Sequence, residues 1–372
     1  INRNANTIIN NTDAATGPVS AKAIVKGQAL VYRAFCHFQL VQLYAKRYVN
    51  GVTNSQPGIP IILQVSNENL PRATVEAVYT QINKDLDQAV VLLTGYAKPN
   101  NSHLDLRVAQ GLKARVALVQ GNWAIAADFA SKARAGKNLM TITEYGSGFN
   151  NYNNQEWMWG SFINELQTES FANFGAYMSR NFSSTVIRSC PKAINSKLYN
   201  LIPATDVRST IFSKTGQHPN VILDSRAAKF PFTSQKFLSV SIGDSRCDVP
   251  YMRAAEMFLI EAEAKANLGA ADAAQVLFNL VSKRDPSYVL STKTGAALIS
   301  DIHLQRRMEL WGEGFRFFDL KRTNSPLDRT GAQHQTAIVG GLFSVPAGDK
   351  RWQLLFPQSE LNVNPLLEQN EL

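Results

Sequence analysis

Long apolar runs are missing from this chain. No stretch of its 372 residues approaches the roughly 18 consecutive apolar residues that mark a membrane-spanning helix. The best candidate, AFCHFQLVQLY at 34–44, is too short and carries polar groups, so it reads as an amphipathic or buried helix. Cysteine is scarce. Cys36, Cys190 and Cys247 are odd in number and far apart, which fits neither a zinc pattern nor a disulfide framework. Cys36 falls within an apolar helical stripe, as a small core residue does. Runs of like charge are absent too. The formal net charge of +9 is spread along the chain, giving a solvated basic surface with some attraction for acidic partners. No DNA- or RNA-binding motif accompanies that charge, so nucleic acid is not expected as a partner. Hydrophobic residues at 45% and charged residues at 18% are ordinary for a globular chain and exclude wholesale disorder. No signal peptide opens the sequence; INRNANTIIN reads like the middle of a helix, so targeting information is expected outside it.

Catalytic signatures are equally sparse. His103 with Asp105, and the acids Glu256, Glu261 and Glu263, lack a metal spacing of the HExxH type. His303 and His334 read as surface or core histidines. GSGFNN at 146–151 follows no clear strand and lacks the Lys-Ser/Thr pair of a phosphate loop. No Gly-x-Ser-x-Gly elbow is present. Paired carboxylates could serve a glycosidase, but nothing in the spacing selects a pair. No catalytic residues and no metal ligands are therefore assigned from the motifs.

What is present is helical periodicity. Ile24, Ala29, Leu30, Ala34, Phe38, Val41 and Leu43 mark one long helix over 19–48, ended by Gly51, Pro57, Gly58 and Pro60. Thr74 is placed to cap the next helix, with Ala77 at its N3 position. Helices over roughly 105–120 and 123–136 follow, split at Gly121-Asn122. Residues 139–249 are rich in Asn, Ser, Gly and aromatics, with a short strand expected in NYNNQEWMWGSFI and a short helix within 192–202. Regular helices resume at Tyr251 and run through 271–284 and roughly 296–311. After Thr323 the tail is loop-like, since Pro357 and Pro365 exclude long helices there.

Two helix pairs resemble each other. LKARVALVQGNWAIAADFASKA aligns with IEAEAKANLGAADAAQVLFNLV, with Gly121 over Gly269, Ala114 over Ala262 and Ala126 over Ala274. Small residues there let antiparallel helices approach closely around a tight turn, as in tetratricopeptide repeats. Such pairs must stack on neighbours to bury their apolar faces. The expected fold is therefore mostly α: one domain over 1–372, built as a tetratricopeptide-like helix-pair scaffold. Helical repeats at 1–138 and 250–322 flank an irregular, loop-rich inserted lobe at 139–249 with a few short strands, and a loop segment at 323–372 packs on the scaffold.

The segment RRMELWGEGFRFFDLKR at 306–322 concentrates charge among aromatics. Helical spacing brings Arg306 to Glu309 and Glu313 near Arg316, while Leu310, Trp311, Phe315 and Phe318 supply apolar surface. Every carboxylate has a cation close by, which favours a structural role over an acid–base pair. Glu309, Glu313, Arg316 and Asp319 are expected to clamp a helix end onto the core.

The pattern R-x-x-E-L-x-x-E-G-x-R-x-x-D-L-x-R resembles the C-terminal signature of the SusD/RagB family. IVKGQALVYRAFCHFQLVQLYAKRY resembles that family's first long repeat helix, YMRAAEMFLIEAEAKANLG its second-half repeat, and LFPQSELNVNPLLEQN its closing segment. The four matches run in order along almost the whole chain, weakest in the irregular region. The resemblance implies a lipoprotein exposed on the Bacteroidetes outer membrane, lipid-anchored through an N-terminal cysteine that this sequence does not show. It implies a lid over a TonB-dependent transporter of the SusC type and capture of a nutrient, usually a glycan. No cofactor is implied, although calcium occurs in some relatives. Peptide-binding relatives exist, and a helical glycan-active enzyme or a tetratricopeptide adaptor remain alternatives.

Sugar rings present apolar C–H faces to aromatic side chains, while amides and guanidinium groups bond their hydroxyls. Tyr152, Trp157, Trp159, Phe171, Phe174, Tyr177 and Arg180 lie in a polar stretch suited to this, with core packing as the alternative for each Trp. The loop Tyr48 to Asn54 is a second candidate, because the resemblance places ligand sites near the loop after the first long helix.

Overall fold

The first helices form where apolar residues recur every three to four positions. A computed structural model describes residues 1–167 and 173–371. Asn2–Asn11 (α1) leads into the long helix Val19–Tyr44 (α2), which follows Pro18. Leu30, Ala34, Phe38 and Val41 bury one face of α2 against Val78, Ile82, Leu86 and Ala89 of Val75–Leu92 (α3). Thr74 caps α3, its hydroxyl accepting from the Ala77 amide at 3.1 Å. Leu106–Gln120 (α4) and Trp123–Arg134 (α5) form the next antiparallel pair. Gly121 turns between them at φ 68°, a conformation that suits a residue without Cβ.

Among the described residues the irregular lobe holds only short elements. These are helices Ile142–Tyr145 (α6), Phe174–Met178 (α7), Thr185–Ser189 (α8), Ser196–Tyr199 (α9) and Val207–Thr210 (α10), with strands Trp157–Ser161 (β1), Phe212–Ser213 (β2) and Thr233–Ser234 (β3). β1 pairs antiparallel with Val249–Arg253 (β4), and β2 with β3. The helix expected from Tyr251 begins at Ala254 instead. Residues 249–253 are extended because they pair with β1, and the Ala254 amide donates to the Glu156 carbonyl at 2.9 Å.

Ala254–Asn267 (α11) and Ala273–Val281 (α12) repeat the α4–α5 turn, with Gly269 at φ 70° over Gly121. α11 packs on α5, on α12 and on Gly295–Glu309 (α13), so the two repeat regions meet directly although the lobe separates them in sequence. Leu259, Leu277, Leu280 and Ile302 fill the core on that side. Arg316–Arg322 (α14) closes the motif. The tail carries strands Leu327–Asp328 (β5) and Ser344–Val345 (β6), paired with each other, and the helix Gln358–Val363 (α15). It is tied to the end of α2. The Leu354 amide donates to the Leu43 carbonyl, Asn370 Nδ2 to the Tyr44 carbonyl at 2.8 Å, and Phe356 stacks on Tyr44. The fold is the mostly helical one expected, with small two-stranded ribbons. No helix among the described residues is long and apolar enough to cross a membrane.

Candidate functional site

The 306–322 motif folds into a buried charge network that reaches far beyond its own helices. Glu309 is fully enclosed. Its carboxylate accepts from Arg253 at 3.0 Å and from Arg284 at 3.1 Å, with Arg208 at 3.7 Å. Glu156 bridges Arg253 and Arg284, and Glu313 takes Arg253 at 2.6 Å and Lys236 at 2.7 Å. Burial alone would raise the Glu309 carboxyl, but Arg284, Arg253 and Arg208 overcome it and hold it well below the usual carboxylate range. An always-ionised, solvent-free carboxylate cannot act as a general acid.

The expected local pairs are corrected in three places. Arg306 reaches Asp319 at 2.8 Å and not Glu309, because the chain turns at Gly312 and Gly314, both at positive φ, and folds α14 back onto α13. Glu313 turns inward to Arg253 and Lys236, so it does not meet Arg316. Arg316 takes no part in the clamp; among the described residues it makes no hydrogen bond or ion pair. Asp319 also binds Arg322, which reaches Glu263 of α11 at 2.6 Å. The acids Glu256, Glu261 and Glu263 each hold their own cation, Arg115, Arg134 and Arg322 respectively. The described residues contain no cluster of metal-ligating side chains.

A cleft of about 420 Å³ opens where the loop after α2 faces α14 and the tail. Lys46, Arg47, Val52 and Gln56 line one wall, and Lys321, Trp352 and Gln353 the other. Asn54 shapes it from behind. Its side chain is fully buried, accepts from the Val49 amide at 2.8 Å and donates to the Val49 and Val52 carbonyls at 3.0 Å. Asn54 is thus a staple of the loop and not a ligand contact. Tyr48 leaves the cleft, packing edge-on against Tyr79 with its hydroxyl 3.4 Å from Glu76. Trp352 is fixed by its indole donating to the Pro346 carbonyl at 2.7 Å and by contact with Phe317. Lys321 Nζ donates to the carbonyls of Gln42 and Trp352, and burial without a carboxylate partner lowers its pKa to about 7.

The candidates in the irregular lobe divide by burial. Trp157 is fully enclosed, and Trp159 packs edge-on against Tyr32 and Phe35, so both belong to the core because the β1–β4 ribbon lies between scaffold and lobe. Arg180 is 2% exposed and donates to the Ala228 carbonyl, out of ligand reach. Tyr152 stacks on the half-exposed Phe162 at 4.8 Å, and Tyr177 is 45% exposed, leaving these two at the surface. Phe174 packs against Phe237, and Phe171 lies outside the described residues. Trp352 and Gln353 carried no signal in the sequence, since a loop-like tail has no periodicity to say what it faces, and Lys321 lay within the motif without a spacing that marks it for the cleft.

Comparison with known proteins follows the same lines. The model described as the SusD family matches residues 137–372, and one described as starch-binding and associating with the outer membrane matches residues 3–118. No curated protein gives a match. Among solved structures, a SusD-like carbohydrate-binding protein from Bacteroides vulgatus is 25% identical, with a TM-score of 0.85 over 99% of this chain and 82% of its own. A SusD superfamily protein from Bacteroides thetaiotaomicron is 22% identical, with a TM-score of 0.85 over 100% and 83%. A laminarin-binding SusD-like protein is 21% identical, with a TM-score of 0.73 over 98% and 82%.

Proposed function

Because this chain belongs to the SusD family, we propose that it captures a glycan at the cell surface and hands it to a TonB-dependent outer-membrane transporter of the SusC type. In this role it is lipid-anchored and performs no chemistry on its ligand. The cleft between the loop after α2 and the tail carries the reading. It combines an immobilised Trp352 with Gln56, Gln353, Arg47 and Lys46, the side-chain types that bind sugar hydroxyls beside an apolar floor. Its volume of about 420 Å³ falls within the roughly 300–1,000 Å³ of small-molecule sites. The lining carries two full cations, Lys46 and Arg47, with Lys321 about half protonated at neutral pH, against Asp349, whose carboxylate is taken by Arg351 at 2.7 Å. That balance favours an acidic glycan over a neutral one. Glycoside hydrolysis normally needs two flanking carboxylates, which this lining does not offer. The outer-membrane description of the matching model and the laminarin-binding name of one similar structure support the carbohydrate class. Tyr152 with Phe162, and separately Tyr177, are further aromatic groups at the surface of the lobe.

Calorimetry against laminarin and a panel of acidic polysaccharides tests this directly. At least one glycan is expected to bind saturably, and the Arg47→Ala/Gln353→Ala variant to bind it about tenfold more weakly with an unchanged melting temperature, each lost hydrogen bond contributing about 0.5–1.5 kcal/mol. Release of new reducing ends, or full affinity in the variant, refutes the proposal.

A further inference from the structure

α14 separates two cavities. It turns Leu320 and Lys321 to the cleft and Arg316, Asp319 and Thr323 to a second cavity of about 360 Å³, whose far wall is the end of α13. That wall supplies Asp301, His303, Arg306 and Arg307, so four guanidinium groups, counting Arg322, line one space. Several of these charges are already matched. Arg306 is held by Asp319 at 2.8 Å, Arg322 by Glu263 and Asp319, and Asp301 by Lys293 at 2.8 Å. His303 Nε2 lies 3.0 Å from Glu263.

Arg307 and Arg316 are not matched. Among the described residues neither makes a hydrogen bond or an ion pair, although both line the cavity. Partial burial lowers the pKa of Arg307. Arg316 is exposed as a residue, and partial burial with the adjacent Arg307 brings it down to about 10 against the pull of Asp319, so it stays cationic at neutral pH. A further donor points the same way. Arg306 is 4% exposed, and its Nη1 is buried without any partner. One buried donor without an acceptor, beside two like charges held close, is unfavourable until an anion supplies the missing acceptor.

We propose that the cavity between α13 and α14 is a binding site for an oxoanion group, a sulfate or a carboxylate, held by Arg307 and Arg316 with Arg306 at its base. Planar guanidinium forks bind such groups through paired hydrogen bonds. The volume exceeds by far the roughly 10–15 Å³ that one water requires, so the anion can arrive alone or carried on a sugar ring. The site does not depend on the glycan-capture reading, since a neutral glycan can occupy the cleft while this cavity stays empty.

The test uses the full chain and calorimetry at constant ionic strength, with chloride as the background anion. The probes are inorganic sulfate, a sulfated disaccharide and its unsulfated parent. Sulfate is expected to bind saturably, with affinity falling at least tenfold in Arg307→Gln and in Arg316→Gln and vanishing in the double variant. Because neither side chain is paired, the double variant without anion is expected to melt no lower than the parent protein. Tighter binding of the sulfated disaccharide than of sulfate assigns the anion to a saccharide, and equal affinities assign it to the free ion; both support the site. Absence of saturable binding by sulfate and by the sulfated disaccharide, or unchanged affinity in the double variant, overturns it.

Discussion

Replacing Glu309 by glutamine changes a charge while keeping the shape. The enclosed network balances four cations, Arg208, Arg253, Arg284 and Lys236, against four anions, Asp206, Glu156, Glu309 and Glu313. Glu309→Gln leaves one uncompensated positive charge and turns an amide N–H toward guanidinium donors. Removing one partner of a buried pair costs about 3–5 kcal/mol. With roughly 2.1 cal/mol/K of unfolding entropy per residue, 372 residues give about 0.8 kcal/mol/K. The melting temperature should therefore fall by about 4–6 °C, read by circular dichroism at pH 7. Asp128→Asn is the control. It breaks an exposed i,i+4 pair with Lys132 worth about 0.3–0.5 kcal/mol, which shifts melting by less than about 1 °C. Should Glu309→Gln fail to accumulate as folded protein, Glu313→Gln, at the network's edge, is expected to shift melting in the same direction by less. Glu309→Gln melting within about 1 °C of the parent protein would refute the structural role of the network.

Two further perturbations probe the scaffold and the lobe. Burial, the largest influence on His37, lowers its pKa to about 4, and neither ring nitrogen has a hydrogen-bond partner. The unfolded chain takes up that proton near pH 6.5, so stability is lost as pH falls from about 6.5 towards 4, by roughly 3 kcal/mol across the window; His37→Met should flatten that slope in urea midpoints measured between pH 7 and 4.5. Gly175 has no room for a side chain, since a Cβ there would overlap the Ser245 carbonyl oxygen and lie 2.7 Å from Cys247 Cβ. Gly175→Ala should lower stability by about 1–3 kcal/mol, whereas Gly243→Ala, with nothing within 4 Å, should leave the urea midpoint unchanged.

Local patterns made much of the scaffold legible. The i, i+3, i+4 apolar spacing gave α2 and α3, the Thr74 hydroxyl marked where α3 starts, and Gly121 and Gly269 marked equivalent turns. The start of α11 was misplaced because the competing force was not local. Tyr251–Arg253 continue the apolar pattern of the helix that follows, yet pairing with β1 holds them extended. The same limit hid the charge network. Glu309 finds Arg253, Arg284 and Glu313's partner Lys236 across 25 to 73 positions, and no helical spacing reports such neighbours.

The candidate site was less legible than the fold. An aromatic residue in a polar stretch looks the same whether it faces sugar or core, and β1 draws Trp157 and Trp159 inward while Tyr152 and Tyr177 stay out. Asn54 belongs to the loop that borders the cleft, but its side chain holds that loop from behind. By itself the sequence determined which segments are helical, which turns need glycine and which family the motifs resemble, because these follow from short-range spacing and residue type. Only the tertiary structure decided which charges pair, which aromatics are reachable and where Arg307 and Arg316 stand unmatched, because each depends on what the folded chain brings opposite.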